Sequence, residues 1–269
     1  MCTTLRFGIA LKSLRQLRWG ALFLFLFLLP TLRADDVLFF GNSFTFVNDI
    51  PGMMEAIAVS KGKTVSTLKV TQSGEGWAYH LSKPATDAAL KSKAWNWVVL
   101  QDYSLNATHA RKVEDFMKTG QEFEDRIAQE SPKANILLYE TWAYSPKHPI
   151  FAATAKSPAQ FASPDEMYGE IHKNYAALQA ALQGRDAQRQ VLLAPVGTAF
   201  AQCAREHPEI NLYAIDFKHP SPSGSYLSAL VLYATLFHDS PLGAAPGRKV
   251  DPGVAKALQE VAAEVTQKK

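Results

Sequence analysis

Short apolar segments alternate with helical segments along the chain, and this alternation restricts the possible folds more than any other feature of the sequence. Amphipathic spacing predicts helices between the strands, most clearly over 111–129 and 166–182. Strands that alternate with helices favour a parallel sheet with helices on both faces. In such a sheet, a functional site forms beyond the carboxyl ends of the strands. The predicted strands are 37–40, 64–71, 95–101, 135–139 and 190–196.

The first 34 residues have the composition of a secretory signal peptide. Four basic residues precede an unbroken apolar run over 21–29, which is too short to span a bilayer comfortably. Pro30 ends the run, and Ala34 offers a small residue for cleavage. We therefore expect an exported protein, periplasmic or secreted, whose residues 35–269 form one domain without stable membrane insertion. An uncleaved N-terminal anchor is the alternative.

Removal of this segment changes the charge of the chain. The full sequence has a formal net charge of +3, and segment 1–34 contains five basic residues and no acidic residue, so residues 35–269 carry −2. This charge gives no support for a nucleic-acid partner. Cys203 is the one cysteine outside the segment, so no intramolecular disulfide is expected. We expect its thiol to be buried in the core.

The sequence predicts neither a metal nor a cofactor. Apart from His219, the histidines lack the spacing to cysteines or acids that metal sites use. No glycine-rich phosphate loop is present. We expect a surface or capping role for His80, His109, His148, His172, His207 and His238.

The end of the first predicted strand carries the first candidate for chemistry. Gly41 and Asn42 end the strand, Ser43 follows them, and a helix is predicted from Ile50. A serine held between a buried strand and a helix suits a nucleophile, because its hydroxyl is fixed and nearby backbone N–H groups can face a developing oxyanion. The alternative is a turn that only caps a helix.

A second candidate lies near the C-terminus, where Asp216 precedes His219 by three residues. An imidazole is the best base for a serine hydroxyl near neutral pH. A carboxylate beside it would fix the tautomer and stabilise the imidazolium. A surface ion pair or a helix cap would have the same sequence pattern, so this alternative stays open for the segment taken alone.

Together, the two segments resemble the blocks of the SGNH (GDSL-like) hydrolase superfamily. The blocks are Gly-Asn-Ser-Phe-Thr at 41–45 and Asp-x-x-His-Pro-Ser at 216–221, and the resemblance extends over the whole of 35–269. Segments 98–101 and 141–144 are similar to a less characterised bacterial branch. The resemblance implies a flavodoxin-like three-layer α/β/α fold, with a five-stranded parallel sheet of order 2-1-3-4-5. It also implies a metal-free esterase or lipase with Ser43 as nucleophile, His219 as base and Asp216 as its orienting carboxylate.

The same resemblance implies an oxyanion hole made by the N–H of Ser43, the N–H of a glycine after the second strand and an asparagine after the third. Gly74 best matches the glycine, with Gly76 as the alternative. The sequence has no asparagine at the matching position. We assign the third donor to the amide of Gln101, with Ser104 and Asn106 as the alternatives.

Trp77 and Trp142 are the aromatic residues that we expect to contact substrate, by stacking on a sugar ring or by lining an acyl pocket. The alternative is that both belong to the core or to the cleft wall, as most aromatic residues do.

These features predict an exported serine esterase that acts on small acyl esters, with O-acyl groups on carbohydrates among its substrates. The partner would thus be a small-molecule or glycan ester. An acyltransferase with the same triad is one alternative, and a non-catalytic carbohydrate-binding module is another. The sequence does not determine the acyl length, the alcohol partner or the oligomeric state.

Overall fold

The predicted strands form one parallel sheet with the expected order 2-1-3-4-5. The computed structural model describes residue 1 and residues 35–267; the predicted signal peptide, apart from residue 1, lies outside the described residues. The prediction of a flavodoxin-like α/β/α fold is confirmed. The strands are β1 (Asp35–Gly41), β2 (Val65–Thr71), β3 (Trp97–Leu100), β4 (Asn135–Tyr139) and β5 (Val191–Ala194).

Helices cover the sheet in two groups. Helices α2, α8 and α9 pack together, and α3, α4, α5 and α6 pack in succession, which gives the sheet its two outer layers. The helices among residues 35–267 are α1 (Ser43–Phe46), α2 (Ile50–Ser60), α3 (Trp77–Leu81), α4 (Pro84–Lys91), α5 (Val113–Glu130), α6 (Pro164–Gln183), α7 (Val196–Glu206), α8 (Pro222–Phe237) and α9 (Pro252–Gln267).

The centre of the sheet forms the core. Strand β1 is completely buried from Val37 to Phe40, and β3 is completely buried from Val98 to Leu100. Continuous apolar runs of this kind are typical of parallel strands that are covered on both faces. Strand β2 lies at an edge and has polar residues along its length, which accounts for its partial exposure.

The register of the central strands sets the position of three loops. Strand β1 lies between β2 and β3, and Phe40 is aligned with Val70 on one side and with Leu100 on the other. The loops that follow these three strands therefore start at the same level of the same sheet edge. Ser43, the loop at 72–76 and the loop at 101–106 are brought together in this way.

Two smaller features complete the fold. Helix α3 ends at Leu81 and α4 begins at Pro84, since proline suits the first turn of a helix. Cys203 is buried, and burial raises the pKa of its thiol to about 12, so it behaves as an inert core residue. Within residues 35–267, the helices lack the combination of length and apolar character that a membrane crossing needs.

Helix α7 approaches the end of β4 so closely that one of its positions has room only for glycine. A Cβ atom at Gly197 would lie well inside contact distance of the Thr141 carbonyl oxygen and 3.2 Å from the Thr141 carbonyl carbon. We expect Gly197→Ala to lower the free energy of unfolding by about 1–3 kcal/mol, because backbone atoms cannot move aside as a side chain can. Urea unfolding measures this change.

The matched control is Gly169→Ala in helix α6, where nothing lies within 4 Å of the added methyl group. This change is expected to raise the free energy of unfolding by about 0.5–1 kcal/mol, because alanine is the better helix former. Equal effects of the two substitutions would contradict the close packing of α7 on β4.

Candidate active site

Ser43 and His219 are 176 residues apart in the chain, but the Ser43 Oγ lies 2.8 Å from the His219 Nε2. On the other side of the ring, His219 Nδ1 is hydrogen-bonded to Asp216 Oδ2. A carboxylate bonded to Nδ1–H fixes the tautomer in which Nε2 can accept a hydroxyl proton. The structure thus brings together the three side chains that the sequence placed in two separate segments.

Asp216 is held in its ionised form. Burial acts to raise its pKa, but hydrogen bonds from the His219 ring and from two backbone N–H groups outweigh burial and lower the pKa. The two N–H groups belong to Lys218 and His219, and their nitrogens lie 3.2 and 3.0 Å from Asp216 Oδ1. The carboxylate is therefore oriented by its own loop and can stabilise a positive charge on the ring.

The Asp216–His219 loop is tied to the segment that follows β4. Phe217 has a φ of +63°, a conformation that is uncommon for residues other than glycine. The carbonyl oxygen of Phe217 accepts the Ser145 N–H at 2.9 Å, and Ala214 N–H donates to the His219 carbonyl at 2.8 Å. These hydrogen bonds hold a loop that would otherwise relax.

Gln101 supports the turn that carries Ser43. Its Oε1 accepts the Asn42 N–H and the Thr45 hydroxyl, both at 2.9 Å, and its amide nitrogen donates to the Asp102 carbonyl. The side chain is only 1% exposed, so it lies beneath the turn and not at the surface of a cleft. The prediction that Gln101 is an oxyanion donor is therefore wrong, because its polar atoms are used inside the fold. Gly41 is needed here, since a Cβ would lie 2.7 Å from Gln101 Oε1.

Trp77 and Trp142 are both completely buried, so the prediction that they contact substrate is wrong and the core alternative applies. The Trp77 ring stacks on Phe116 with centroids 5.3 Å apart. The Trp142 ring lies between Phe44 and Phe200, 4.4 Å from each and nearly parallel to both. Both indole rings are packed in the core, because burial of their large apolar area is favourable.

Trp142 nevertheless acts close to the candidate site. Its indole Nε1–H donates to the Lys218 carbonyl at 3.0 Å, next to His219 in the chain. Phe44, which stacks on Trp142, packs against the His219 ring in an edge-to-face arrangement with the centroids 5.4 Å apart. The buried aromatic stack therefore packs against the imidazole through Phe44 and stabilises its position.

The two glycines proposed for the oxyanion hole differ in their surroundings. Gly74 has a φ of +74°, is exposed, and has open space beside it. Gly76 is enclosed, because a Cβ there would lie 2.5 Å from Asp102 Oδ1 and 2.9 Å from Asn106 Nδ2. Asn106 is only partly buried, whereas Ser104 is buried and its hydroxyl lies 2.6 Å from the Tyr144 hydroxyl. Of the two alternatives to Gln101 as the third donor, Asn106 is therefore the one that lies beside the glycine loop (residues 74–76).

Two buried carboxylates at strand ends did not emerge from the sequence analysis. Asp102 follows β3 and Glu140 follows β4, and both are completely buried. Burial raises the pKa of Asp102 to about 6, against hydrogen bonds from Trp77 N–H and Asn106 that lower it. Burial likewise raises the pKa of Glu140. Their position after a strand was a usable signal, but the sequence does not show how deep such a residue lies.

Glu140 has a partner on each side. Its Oε1 lies 3.0 Å from His172 Nδ1, and its Oε2 accepts the Thr198 hydroxyl at 3.3 Å. The carboxylate thus joins β4 to helices α6 and α7.

His80 differs from the expectation of a surface or capping role. It is 2% exposed, and its Nε2 lies 2.9 Å from the Gly41 carbonyl oxygen, immediately before the Ser43 turn. Burial lowers its pKa, so the ring is neutral near neutral pH and can donate to that carbonyl. In the part of the chain that the structure describes, no three His, Cys, Asp or Glu side chains converge as metal ligands would.

A groove of about 560 Å³ begins beside Asn106 and continues past Arg111 to Phe116 on helix α5. A larger cavity of about 690 Å³ is lined by residues of β5 and of helices α6 to α9, and none of Ser43, Asp216 and His219 contributes to it. The same three residues are absent from the lining of the smaller groove, which reaches the loop at 101–106 through Asn106.

Comparison with solved structures identifies the class of fold. A DUF4886 family protein from Bacteroides uniformis is similar over 87% of this chain and 95% of its own, with a TM-score of 0.68 and 17% identity. A carbohydrate esterase family 3 protein from Talaromyces cellulolyticus is similar over 76% of this chain and 97% of its own (TM-score 0.53, 14% identity). The acetyl xylan esterase AlAXEase is similar over 74% of this chain and 98% of its own, with a TM-score of 0.51 and 17% identity.

No protein-family model matches the sequence, and a search of curated proteins finds no match. The similarity to solved structures therefore establishes the fold, which this chain shares with the carbohydrate esterase and the acetyl xylan esterase. The reaction has to be argued from the site itself.

The Trp142 hydrogen bond to the histidine loop leads to a testable prediction. In Trp142→Phe the ring can still stack between Phe44 and Phe200, but the bond to the Lys218 carbonyl is lost. We expect the rate at which a fluorophosphonate labels Ser43 to fall about 10-fold, because small displacements of a base are costly in rate. The loss of unfolding free energy should be about 1 kcal/mol.

The matched control is Trp95→Phe, since Trp95 is also buried and donates its Nε1–H to a backbone carbonyl, that of Ala89, at 2.9 Å. A comparable loss of stability with an unchanged labelling rate is expected. Equal labelling rates in the two variants would contradict a role of Trp142 at the site.

The Glu140–His172 pair predicts a pH dependence of stability. The hydrogen bond to Glu140 raises the pKa of His172 above that of an unfolded histidine, near 6.5. The folded state therefore holds the proton more tightly, so this contribution is complete below about pH 6.5 and is lost as the pH rises through the raised pKa. Between about pH 6 and pH 8, the Tm of the unmodified protein should fall more steeply than that of His172→Gln.

Differential scanning fluorimetry of both proteins in matched buffers tests this expectation. Contributions from the other histidines cancel in the difference between the two curves. Parallel curves would show that the pair does not couple to folding.

Proposed function

We propose that the protein is an exported serine hydrolase that cleaves small acyl esters. The observation that carries the proposal is the continuous hydrogen-bonded series from Ser43 through His219 to Asp216. The fold that the chain shares with a carbohydrate esterase and an acetyl xylan esterase supports it. The composition of residues 1–34 supports export.

In the proposed reaction, Ser43 Oγ attacks the ester carbonyl carbon while His219 Nε2 takes the hydroxyl proton. The tetrahedral intermediate collapses, the C–O bond to the alcohol breaks, and His219 returns the proton to the leaving alcohol. Water then attacks the acyl-enzyme, His219 takes a proton from the water, and the carboxylic acid leaves as the Ser43 hydroxyl is restored. Asp216 stabilises the imidazolium in both halves.

The proposed oxyanion hole uses the N–H groups of Ser43 and Gly74 and the side-chain amide of Asn106. Ser43 is the first residue of α1, where backbone N–H groups lack partners within the helix. Gly74 is exposed with open space beside it, and Asn106 is the side-chain amide next to the glycine loop. Asn106 takes the role that the sequence analysis assigned to Gln101.

The proposed substrates are O-acyl esters of small molecules or glycans. The names of the carbohydrate esterase and the acetyl xylan esterase with this fold support a carbohydrate alcohol. The groove that Asn106 lines is the proposed location of the alcohol or acyl part. An acyltransferase would use the same triad with a sugar acceptor in place of water.

The test is hydrolysis of p-nitrophenyl acetate and of acetylated sugars by the unmodified protein and by Ser43→Ala. We expect kcat/KM to fall by about 10³-fold or more in the variant, because the nucleophile is lost. A fluorophosphonate should add once, at Ser43, as shown by mass spectrometry.

Ser92→Ala is the control, since Ser92 is exposed at the end of α4 and should be dispensable. Turnover only with an added sugar acceptor would identify a transferase. Glycan binding without turnover would identify a binding module, and hydrolysis that survives Ser43→Ala would refute the mechanism.

A further inference from the structure

We propose that Asp102 is a positioning residue, which holds the glycine loop at 74–76 and the Asn106 side chain in place against the Ser43 turn. The proposal rests on the proposed function, because it assigns a purpose to the oxyanion site. Asp102 itself is not in contact with the reacting atoms in this proposal. Its effect would be transmitted through the groups that it binds.

The two carboxylate oxygens of Asp102 bind two different loops. Oδ1 accepts the backbone N–H of Trp77, directly after the glycine loop, at 2.8 Å. Oδ2 accepts the side-chain amide of Asn106 at 3.0 Å. One carboxylate therefore sets the distance between a loop that follows β2 and a loop that follows β3.

Gly76 allows this close approach. A Cβ at this position would lie 2.5 Å from Asp102 Oδ1 and 2.9 Å from Asn106 Nδ2. Its φ is −119°, which any residue can adopt, so the backbone conformation does not require glycine. Glycine is needed here for the space that the carboxylate and the amide occupy.

The contacts of Asp102 also form part of a closed ring that includes the nucleophile turn. The Asp102 carbonyl accepts from the Gln101 amide, and Gln101 Oε1 accepts the Asn42 N–H at 2.9 Å. The Asn42 side chain in turn donates to the Glu75 carbonyl at 2.8 Å, within the glycine loop. The ring thus connects the ends of β1, β2 and β3, and loss of the Asp102 contacts would open it on the side of the proposed oxyanion donors.

The chemistry of the residue fits this purpose better than a role in general stability. A completely buried carboxylate is costly unless it is hydrogen-bonded, and an apolar residue would fill the same volume without that cost. An amide at this position could accept the Trp77 N–H, but its NH₂ group would face the NH₂ group of Asn106. Only a carboxylate accepts on both sides.

The experiment is steady-state hydrolysis of p-nitrophenyl acetate by Asp102→Asn. We expect kcat to fall about 10- to 100-fold while KM changes by less than about 2-fold, because oxyanion donors act mainly in the transition state. The labelling rate with a fluorophosphonate should fall in parallel. In a double-mutant cycle with Asn106→Ala, the combined loss should be smaller than the product of the two single losses.

Glu124→Gln is the matched control. Glu124 is also a buried carboxylate, 4% exposed and 2.7 Å from Arg185, but it lies on α5 and its partners are arginines outside the loops of the site. It should lose stability and keep its kcat. Gly76→Ala is the second variant if Asp102→Asn does not fold, because it pushes the loop away from an intact carboxylate and should lower kcat in the same selective way.

The outcomes separate the two proposals. An unchanged kcat in Asp102→Asn overturns the positioning role and leaves the proposed function intact. Fully additive losses with Asn106→Ala, or a kcat loss that Glu124→Gln reproduces at equal Tm, also overturn it. Absence of Ser43-dependent turnover in the unmodified protein refutes the proposed function itself, before any Asp102 variant is made.

Discussion

The pairing of β1 with both β2 and β3 is the constraint on which the candidate site depends. Ser43 follows β1, the glycine loop follows β2, and Asp102 follows β3, so the three meet only because these strands are neighbours in register. The apolar run from Val37 to Phe40 is buried on both faces of the sheet, so a shift by one residue would disturb the close packing of its side chains on both sides. Burial of the core thus determines the geometry of a polar site at its edge.

The histidine side of the site depends on a different kind of interaction. His219 reaches Ser43 from a distant part of the chain, on a loop in which Phe217 has a positive φ. Such a conformation costs on the order of 1–3 kcal/mol and persists only when surrounding contacts hold it. The Ser145 N–H and the indole of Trp142 provide these contacts through backbone carbonyls of the loop. Aromatic packing therefore supports the base, while strand pairing supports the nucleophile.

Much of this arrangement could be predicted from the sequence. The alternation of strands and helices is a property of local patterns, and it led to the correct sheet. Ser43, Asp216 and His219 were candidates because a nucleophile and its base demand particular residue types next to turns, and the structure brings their side chains together. Three residues were assigned the wrong role, Gln101, Trp77 and Trp142, because a local pattern does not show on which side of a turn a side chain lies.

The residues that escaped prediction share a physical reason. Asp102 and His80 have polar side chains in a completely or nearly completely buried environment, and such residues are normally exposed. Only the tertiary contacts show that each has a partner, Trp77 N–H for the one and the Gly41 carbonyl for the other. A sequence pattern contains no information about partners that come from another loop.

The absence of the expected asparagine after β3 is best understood as a division of tasks. Gln101 supports the nucleophile turn, Asp102 joins the two neighbouring loops, and in the proposed site the amide donor comes from Asn106. The positions of donors around an oxyanion constrain such a site more strongly than the residues that supply them. Asp102, Gly76 and Asn106 are therefore coupled. Glycine leaves the space that the carboxylate and the amide occupy, and the carboxylate accepts the hydrogen bond that the amide donates.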